Sequence, residues 1–92
     1  MIDLDLVKRQ CRVDFVEDDL LLRALADAAE AEALRRIGRD EMDLLEEGAG
    51  QYPAPILQAI LIRTAQLYRD PEGSEKPNIT FDSLLRPYQQ KL

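Results

Sequence analysis

Closely spaced carboxylates are the residues of this chain whose spacing could support chemistry. Two carboxylates can act as general acid and base, and a cluster of them can hold Mg²⁺ or Ca²⁺. The groups are Asp18/Asp19, Glu30/Glu32, Asp40/Glu41/Asp43 and Glu46/Glu47. None has the EF-hand spacing, and each falls on a predicted loop or on the charged side of a predicted helix. We therefore interpret them as charges for solubility and helix capping, and we predict no catalytic, metal-binding or cofactor-binding residue.

Other residues suited to catalysis are scarce. The chain has no histidine, which removes the commonest general base and the commonest metal ligand. Its single cysteine, Cys11, cannot form an internal disulfide and is interpreted as a small buried hydrophobic residue in a reducing compartment. The sequence contains no nucleophile elbow, Walker loop, dinucleotide-binding fingerprint or paired-cysteine zinc motif. We predict that the protein is not an enzyme.

The charge balance argues against nucleic-acid binding as the main activity. Twelve basic and eighteen acidic residues give a net charge of −6 at pH 7, whereas binding to a phosphate backbone depends on clustered Lys and Arg. The basic residues form two short groups, Lys8/Arg9/Arg12 and Arg35/Arg36/Arg39. We interpret both groups as solvated surface or as ion-pair partners between subunits.

The composition predicts a single all-α domain over residues 1–92. Hydrophobic residues make up 46% of the chain and aromatic residues only 5%, an aliphatic and alanine-rich balance that favours helix over sheet. The longest apolar runs, 20–22 and 59–62, are far shorter than the ~20 residues of a membrane span. The first residues carry no basic charge and no long apolar stretch, so we expect neither a secretory signal nor a membrane segment.

Capping residues and chain breakers predict a small bundle of two longer helices and two short ones. Asp and Thr favour N-caps, Gly favours the position after a helix, and Pro favours the first turn. On these rules the helices lie at about 4–12, 19–37, 55–69 and 81–86. The boundary residues are Asp3 for the first, Asp18 or Asp19 and Gly38 for the second, Pro55 for the third, and Thr80 and Pro87 for the fourth.

The connecting segments differ in their predicted roles. They are a loop at 39–54, a linker at 71–79 and a C-terminal tail at 87–92. The loop is long for so small a domain, which indicates a contact surface, and Met42, Leu44 and Leu45 are predicted to form a single helical turn within it. In the connector before helix 19–37, Phe15 and Val16 are predicted to fill the core.

The two long helices carry more apolar surface than a small monomer is expected to hide. In helix 55–69, nine of the thirteen residues at 56–68 are apolar, and we expect some of their partners to be other copies of the chain.

Helix 19–37 has two apolar faces. The core face holds Leu22, Leu25, Ala26, Ala29, Ala33 and Ile37, and a second face holds Leu20, Leu21, Ala24, Ala28 and Ala31. The alanines either pack on both sides or serve helix propensity alone. We assign the second face, with Ile62, to a contact between subunits, and we expect Glu32 to pair with Arg36 one turn later.

Taken in order, these elements resemble the small head-to-tail connector proteins of tailed bacteriophages and prophages, the head-completion adaptors. The resemblance spans nearly the whole chain at matching spacing. It rests on Ile2-Asp3-Leu4, Cys11-Arg12-Val13-Asp14, Asp19-Leu20-Leu21-Leu22, Ile37-Gly38-Arg39, Pro55 to Tyr68 and Phe81 to Tyr88. The most specific element is the ending Leu84-Leu85-Arg86-Pro87-Tyr88.

The resemblance implies a structural virion protein with no catalytic activity and no cofactor, made in the bacterial host cytoplasm and located at the head–tail junction. Such proteins form a ring beneath the portal protein, continue the DNA channel and provide a platform for the next tail-completion protein, a stopper or tail component. A ring needs two different lateral surfaces. DNA passes through without sequence-specific binding, and repulsion from repeated acidic subunits would favour sliding.

Two assignments stay open at this point. The C-terminal residues Leu85, Arg86 and Tyr88 either contact the portal or a neighbouring subunit, or, with Leu84, the apolar ones only cover the core. The alternative to a connector is a small α-helical dimeric regulator of a mobile element that binds DNA or protein.

Overall fold

The computed structural model describes residues 2–70, 72 and 76–89. The helices are α1 (Leu4–Cys11), α2 (Asp19–Ile37), α3 (Glu41–Glu47), α4 (Ala54–Arg69) and α5 (Ile79–Leu85), followed by a 3-10 turn at Arg86–Tyr88. The predicted all-α fold with two longer helices is confirmed. Of the predicted linker and tail, residues 71, 73–75 and 90–92 lie outside the described residues.

Helix α1 begins and ends at residues that suit its termini. The Asp3 side chain accepts a hydrogen bond from the Asp5 N–H at 3.0 Å, as a side-chain N-cap does. Arg12 follows the helix with φ of 59°, and its N–H donates to the carbonyls of Arg9 and Lys8. The predicted cap at Asp3 is therefore confirmed, and the helix ends one residue before its predicted limit.

The start of α2 differs from the expectation of a side-chain cap. Asp18 precedes the helix, but its carboxylate makes no capping hydrogen bond and instead accepts one from the Tyr68 hydroxyl at 2.7 Å. Lys8 Nζ lies 2.9 Å from Asp19 Oδ1, an oxygen that is buried and whose lost hydration this ion pair offsets. Asp18 therefore connects the start of α2 to α4, and Asp19 connects it to α1. Gly38 ends α2 in the left-handed conformation, with φ of 76°, as predicted.

Helix α4 is the central helix of the bundle. It packs against α1, α2 and α5, and its buried side chains include Ile56, Ile60 and Leu61. Three helices of the same chain cover most of its apolar girth, and because Leu57 and Ile62 stay half-buried, the expectation that other copies cover the remainder stays a prediction. On α2, the residues that face the core are Leu22, Ala26, Ala29, Ala33 and Ile37. Three of these are alanines, whose small side chains allow the axes of α2 and α4 to approach closely.

A polar network joins α2, α4 and the segment before α5. Arg63, only 7% exposed, donates from Nε to Glu32 Oε1 at 2.8 Å and from Nη1 to Gln66 Oε1 at 3.0 Å. Gln66 in turn donates to the Lys76 carbonyl at 2.7 Å. The predicted pair of Glu32 with Arg36 is therefore wrong, because Glu32 has a buried partner on the neighbouring helix.

The C-terminal helix α5 is fixed to the bundle by Phe81 and Leu85, which are both fully buried. Its N-cap is Asn78, whose side chain accepts from the Thr80 N–H at 2.7 Å. This corrects the predicted cap at Thr80. The helix begins two residues earlier than predicted because asparagine supplies the side-chain oxygen and leaves Thr80 inside the first turn.

Helix α3 is longer than the predicted single turn and lies at the edge of the fold. The Asp40 side chain accepts from the Asp43 N–H at 2.9 Å as its N-cap. Leu44 is fully buried and anchors the helix. The Arg39 guanidinium forms ion pairs with two carboxylates of the helix. Its Nε atom lies 2.6 Å from Asp43 Oδ2, and its Nη2 atom lies 2.5 Å from Glu47 Oε2. Outside this anchor, α3 makes few contacts with the other helices, so one of its faces is available to a partner.

The turn after α3 brings Tyr52 against α2. The Tyr52 hydroxyl donates to Glu30 Oε2 at 2.5 Å. Burial raises the pKa of Tyr52 well above its ordinary value, and the hydrogen bond to the Glu30 carboxylate raises it further. In the unfolded chain this phenol is expected to ionise near pH 10.

We expect the free energy of unfolding to fall as the pH rises above about 10, because there the unfolded chain loses a proton that the folded chain retains. Below that pH the contribution of Tyr52 is fully present. Chemical denaturation at a series of pH values should give a flatter alkaline limb for Tyr52→Phe than for the wild type. Tyr88→Phe is the control, since the Tyr88 hydroxyl makes no hydrogen bond in the described structure. Equal alkaline limbs for wild type and Tyr52→Phe would contradict this role.

Candidate interaction surface

The outer face of α2 is apolar and uncovered. Leu20 is 87% exposed and Leu21 is 43% exposed, and three alanines continue the same face. We call the set the α2 patch: Leu20, Leu21, Ala24, Ala28 and Ala31, all of them exposed. From Leu20 to Ala31 the patch is about 17 Å long at 1.5 Å per residue. It lies opposite the core face of α2, so no helix of the described chain covers it.

Two further apolar residues lie exposed in the turn before α2. Phe15 is 45% exposed and Val16 is 71% exposed, so the prediction that they fill the core is wrong. Their flanking acids, Asp14 and Glu17, are also exposed, and a turn between two carboxylates cannot enter the core without burying charge. That flanking pattern was the sequence signal for exposure.

The other predicted contact residues have different environments. Ile62 is half-buried on α4, a different helix from the one that carries the α2 patch. Leu85 is fully buried in the core, so it cannot serve as an exposed anchor for the portal in this conformation. Arg86 is exposed and Tyr88 is half-buried, with Tyr88 packed against the core. The C-terminal residues are therefore divided between core packing and surface.

An apolar cleft adjoins the exposed side of α3. It is lined by Met42, Leu45, Glu46 and Gly50, and its volume is about 240 Å³. Met42 is 73% exposed at its rim. Gly50 has φ of 94°, a backbone conformation that favours glycine. At Gly48, a Cβ atom would lie 1.9 Å from the Gln51 carbonyl oxygen, so the tight turn that shapes the cleft requires glycine there.

A second cleft contains the cysteine. It has a volume of about 420 Å³ and is lined by Gln10, Cys11, Arg12, Ala65, Tyr68 and Arg69. Burial raises the pKa of the Cys11 thiol, and the positive charge of Arg69 opposes that shift only in part. The thiol therefore stays protonated at neutral pH and is a poor nucleophile. The hydrogen bond to Asp18 likewise raises the pKa of Tyr68.

A third cleft separates α1 from α3 and has a volume of about 390 Å³. Its acidic side chains are Asp3 and Glu41, and Asp3 is already engaged as the cap of α1. Within residues 2–70, 72 and 76–89, no three Cys, Asp or Glu side chains lie close enough together to share a metal ion. In that same part of the chain, no helix has the length and apolarity that a membrane crossing requires.

Comparison with protein families matches the whole chain to one of them. The model of the family described as Phage gp6-like head-tail connector protein matches residues 1–92. The chain belongs to this family. The resemblance inferred from the sequence is thereby confirmed, and the family is one of structural phage connectors, components of the virion and not a class of enzyme. Comparison with curated proteins and with solved structures gave no match.

Proposed function

We propose that this connector is a subunit of a ring-shaped head–tail adaptor that docks under the portal, continues the DNA channel and carries the next tail-completion protein. Membership of the connector family supports the role in the virion. The observation that carries the ring is the exposed α2 patch. An apolar patch of this length, with Leu20 at 87% exposure, would lower the solubility of a monomer. It is typical of a surface that another protein covers.

The α2 patch supplies one side of the contact between subunits in this proposal, with Ile62 as a further member. A ring forms when each copy uses one surface to bind a different surface on the next copy, and the rotation closes. The portal contact is assigned to Arg86 and Tyr88, because Leu85 is buried. DNA passes through the ring without sequence-specific binding, and the net charge of −6 per subunit disfavours its adhesion.

Electron microscopy of the purified protein, with and without portal-containing capsids, tests this proposal. We expect ring-shaped density at the portal for the wild type. Leu20→Ser should weaken assembly at least tenfold, because each contact loses the burial of a leucine side chain, worth about 1.5–3 kcal/mol. Ile79→Ser is the matched control, since Ile79 is also exposed, at 81%, but lies on α5.

A different result would favour the dimeric regulator. That protein would sediment as a compact dimer, would shift duplex DNA at low salt, and would add no density to portal-containing capsids. Equal assembly of wild type and Leu20→Ser would show that the α2 patch is not the contact surface.

A further inference from the structure

A ring built on the α2 patch needs a second, different surface on the same subunit, and the structure offers a candidate on α3. Outside the α2 patch and the turn before it, the exposed large apolar residues of the described chain are Met42 and Ile79. Of these two, Met42 borders a cleft, formed with Leu45, Glu46 and Gly50. Helix α3 also makes few contacts with its own bundle, which leaves this side accessible.

The C-terminal end of the α2 patch and the exposed side of α3 carry opposite charges. Arg35 is exposed on α2 and has no ion-pair partner in the described structure. On α3, Arg39 engages Asp43 and Glu47, whereas Glu46 is exposed and makes no ion pair with any described residue. One uncompensated cation therefore lies beside the α2 patch, and one uncompensated anion lies beside Met42.

The spacing of these residues is also the same on both helices. Arg35 follows Ala31 by four residues, and Glu46 follows Met42 by four residues. Residues four apart are neighbours on one side of a helix. Two helices laid side by side in the same direction can therefore bring Met42 onto Ala31 while Glu46 meets Arg35. Small alanines opposite a long, flexible methionine also fit in size.

We propose that α3 of one copy packs against the C-terminal part of the α2 patch of the next copy, with Met42 against Ala28 and Ala31 and with Glu46 paired to Arg35. This inference rests on the proposed ring and names its lateral contact. The contact is heterologous, as ring closure requires. It also accounts for the position of α3 at the edge of the bundle, anchored chiefly by Leu44.

Charge reversal provides a test that leaves the fold intact, because Arg35 and Glu46 are both exposed. Arg35→Glu alone and Glu46→Arg alone each place like charges across every contact, and we expect each to weaken assembly at least tenfold. An equal mixture of the two variant proteins should assemble again, since every contact between unlike copies then has opposite charges. The double variant should also recover. Arg9→Glu and Glu72→Arg, at other exposed positions, are the controls for net charge.

Assembly is measured by sedimentation over a range of concentrations and by the occupancy of portal-containing capsids. Recovery in the mixture supports the contact, because an interface formed by two α2 patches would not respond to Glu46. Single variants that assemble normally, or a mixture that stays unassembled, would overturn it. If Leu20→Ser abolishes the ring while the charge variants do not, the proposed function stands and the α3 contact is wrong. If the wild type forms no ring on capsids, the proposed function itself fails.

Discussion

Replacing Phe81 with alanine is expected to lower the free energy of unfolding by about 3–5 kcal/mol. Phe81 is fully buried and is among the largest side chains of the core. It attaches α5 to the bundle, and the Arg36 guanidinium lies 5.9 Å from the centre of its ring. A cation–π contact at such a partly exposed arginine adds about 0.5–1 kcal/mol. The substitution therefore removes both a core side chain and the cation–π contact between α5 and the end of α2, while the ion pair between Arg36 and Asp82 remains.

Urea denaturation followed by circular dichroism measures this effect. A protein of this size is expected to have a total stability of about 5–14 kcal/mol, so the variant should unfold at a much lower urea concentration. Ile79→Ala is the control on the same helix. Ile79 is 81% exposed, and its replacement should change stability by less than about 0.5 kcal/mol. A loss below about 1 kcal/mol for Phe81→Ala would show that α5 does not depend on this anchor.

Local sequence rules predicted the helices well because the relevant interactions lie within a few residues. Asp3 caps α1 through the N–H of Asp5, and Gly38 ends α2 in a left-handed conformation. Neither outcome depends on the rest of the fold. The exposed outer face of α2 followed from the same kind of rule, since the 3.6-residue period places Leu20 and Ala24 opposite Leu22 and Ala26.

The polar partners could not be predicted in this way because they come from distant parts of the chain. Asp18 binds the Tyr68 hydroxyl rather than capping its own helix. Spacing along one helix shows only which residues share a turn, whereas a carboxylate takes the best partner available in three dimensions. The packing of three helices of the same chain around α4 could not be predicted for the same reason, since the sequence does not show how many helices surround it.

The exposed apolar surface was predicted in part. The α2 patch was assigned from periodicity, and its exposure agrees with that assignment, although its partner stays a proposal. Apolarity alone predicts Phe15 and Val16 in the core, but the exposed carboxylates of Asp14 and Glu17 on either side outweigh that tendency. For Leu85 the sequence leaves both a surface anchor and a core position open, and its full burial on α5 agrees with the core position.

The pairing of Glu32 with Arg63 gives the second large prediction. Glu32→Ala is expected to cost about 3 kcal/mol, the lower end of the range for breaking a buried ion pair. The Arg63 side chain is only 9% exposed, so its charge would lose its carboxylate without gaining water, while Glu32 at 22% exposure is partly hydrated already. Glu46→Ala is the matched control, because Glu46 is exposed and unpaired in the described structure, and it should change stability by less than about 0.5 kcal/mol.

A double substitution distinguishes the cost of breaking the pair from the benefit of having it. Glu32→Leu with Arg63→Met replaces both charges with apolar groups, and we expect a stability within about 1 kcal/mol of the wild type or above it, because no charge then loses its hydration. Measuring the free energy of unfolding of Glu32→Leu, of Arg63→Met and of the double variant completes the double-mutant cycle. Additive losses would mean that each residue acts through its own packing. A large coupling energy would mean that most of each single loss comes from leaving the remaining charge buried without its partner.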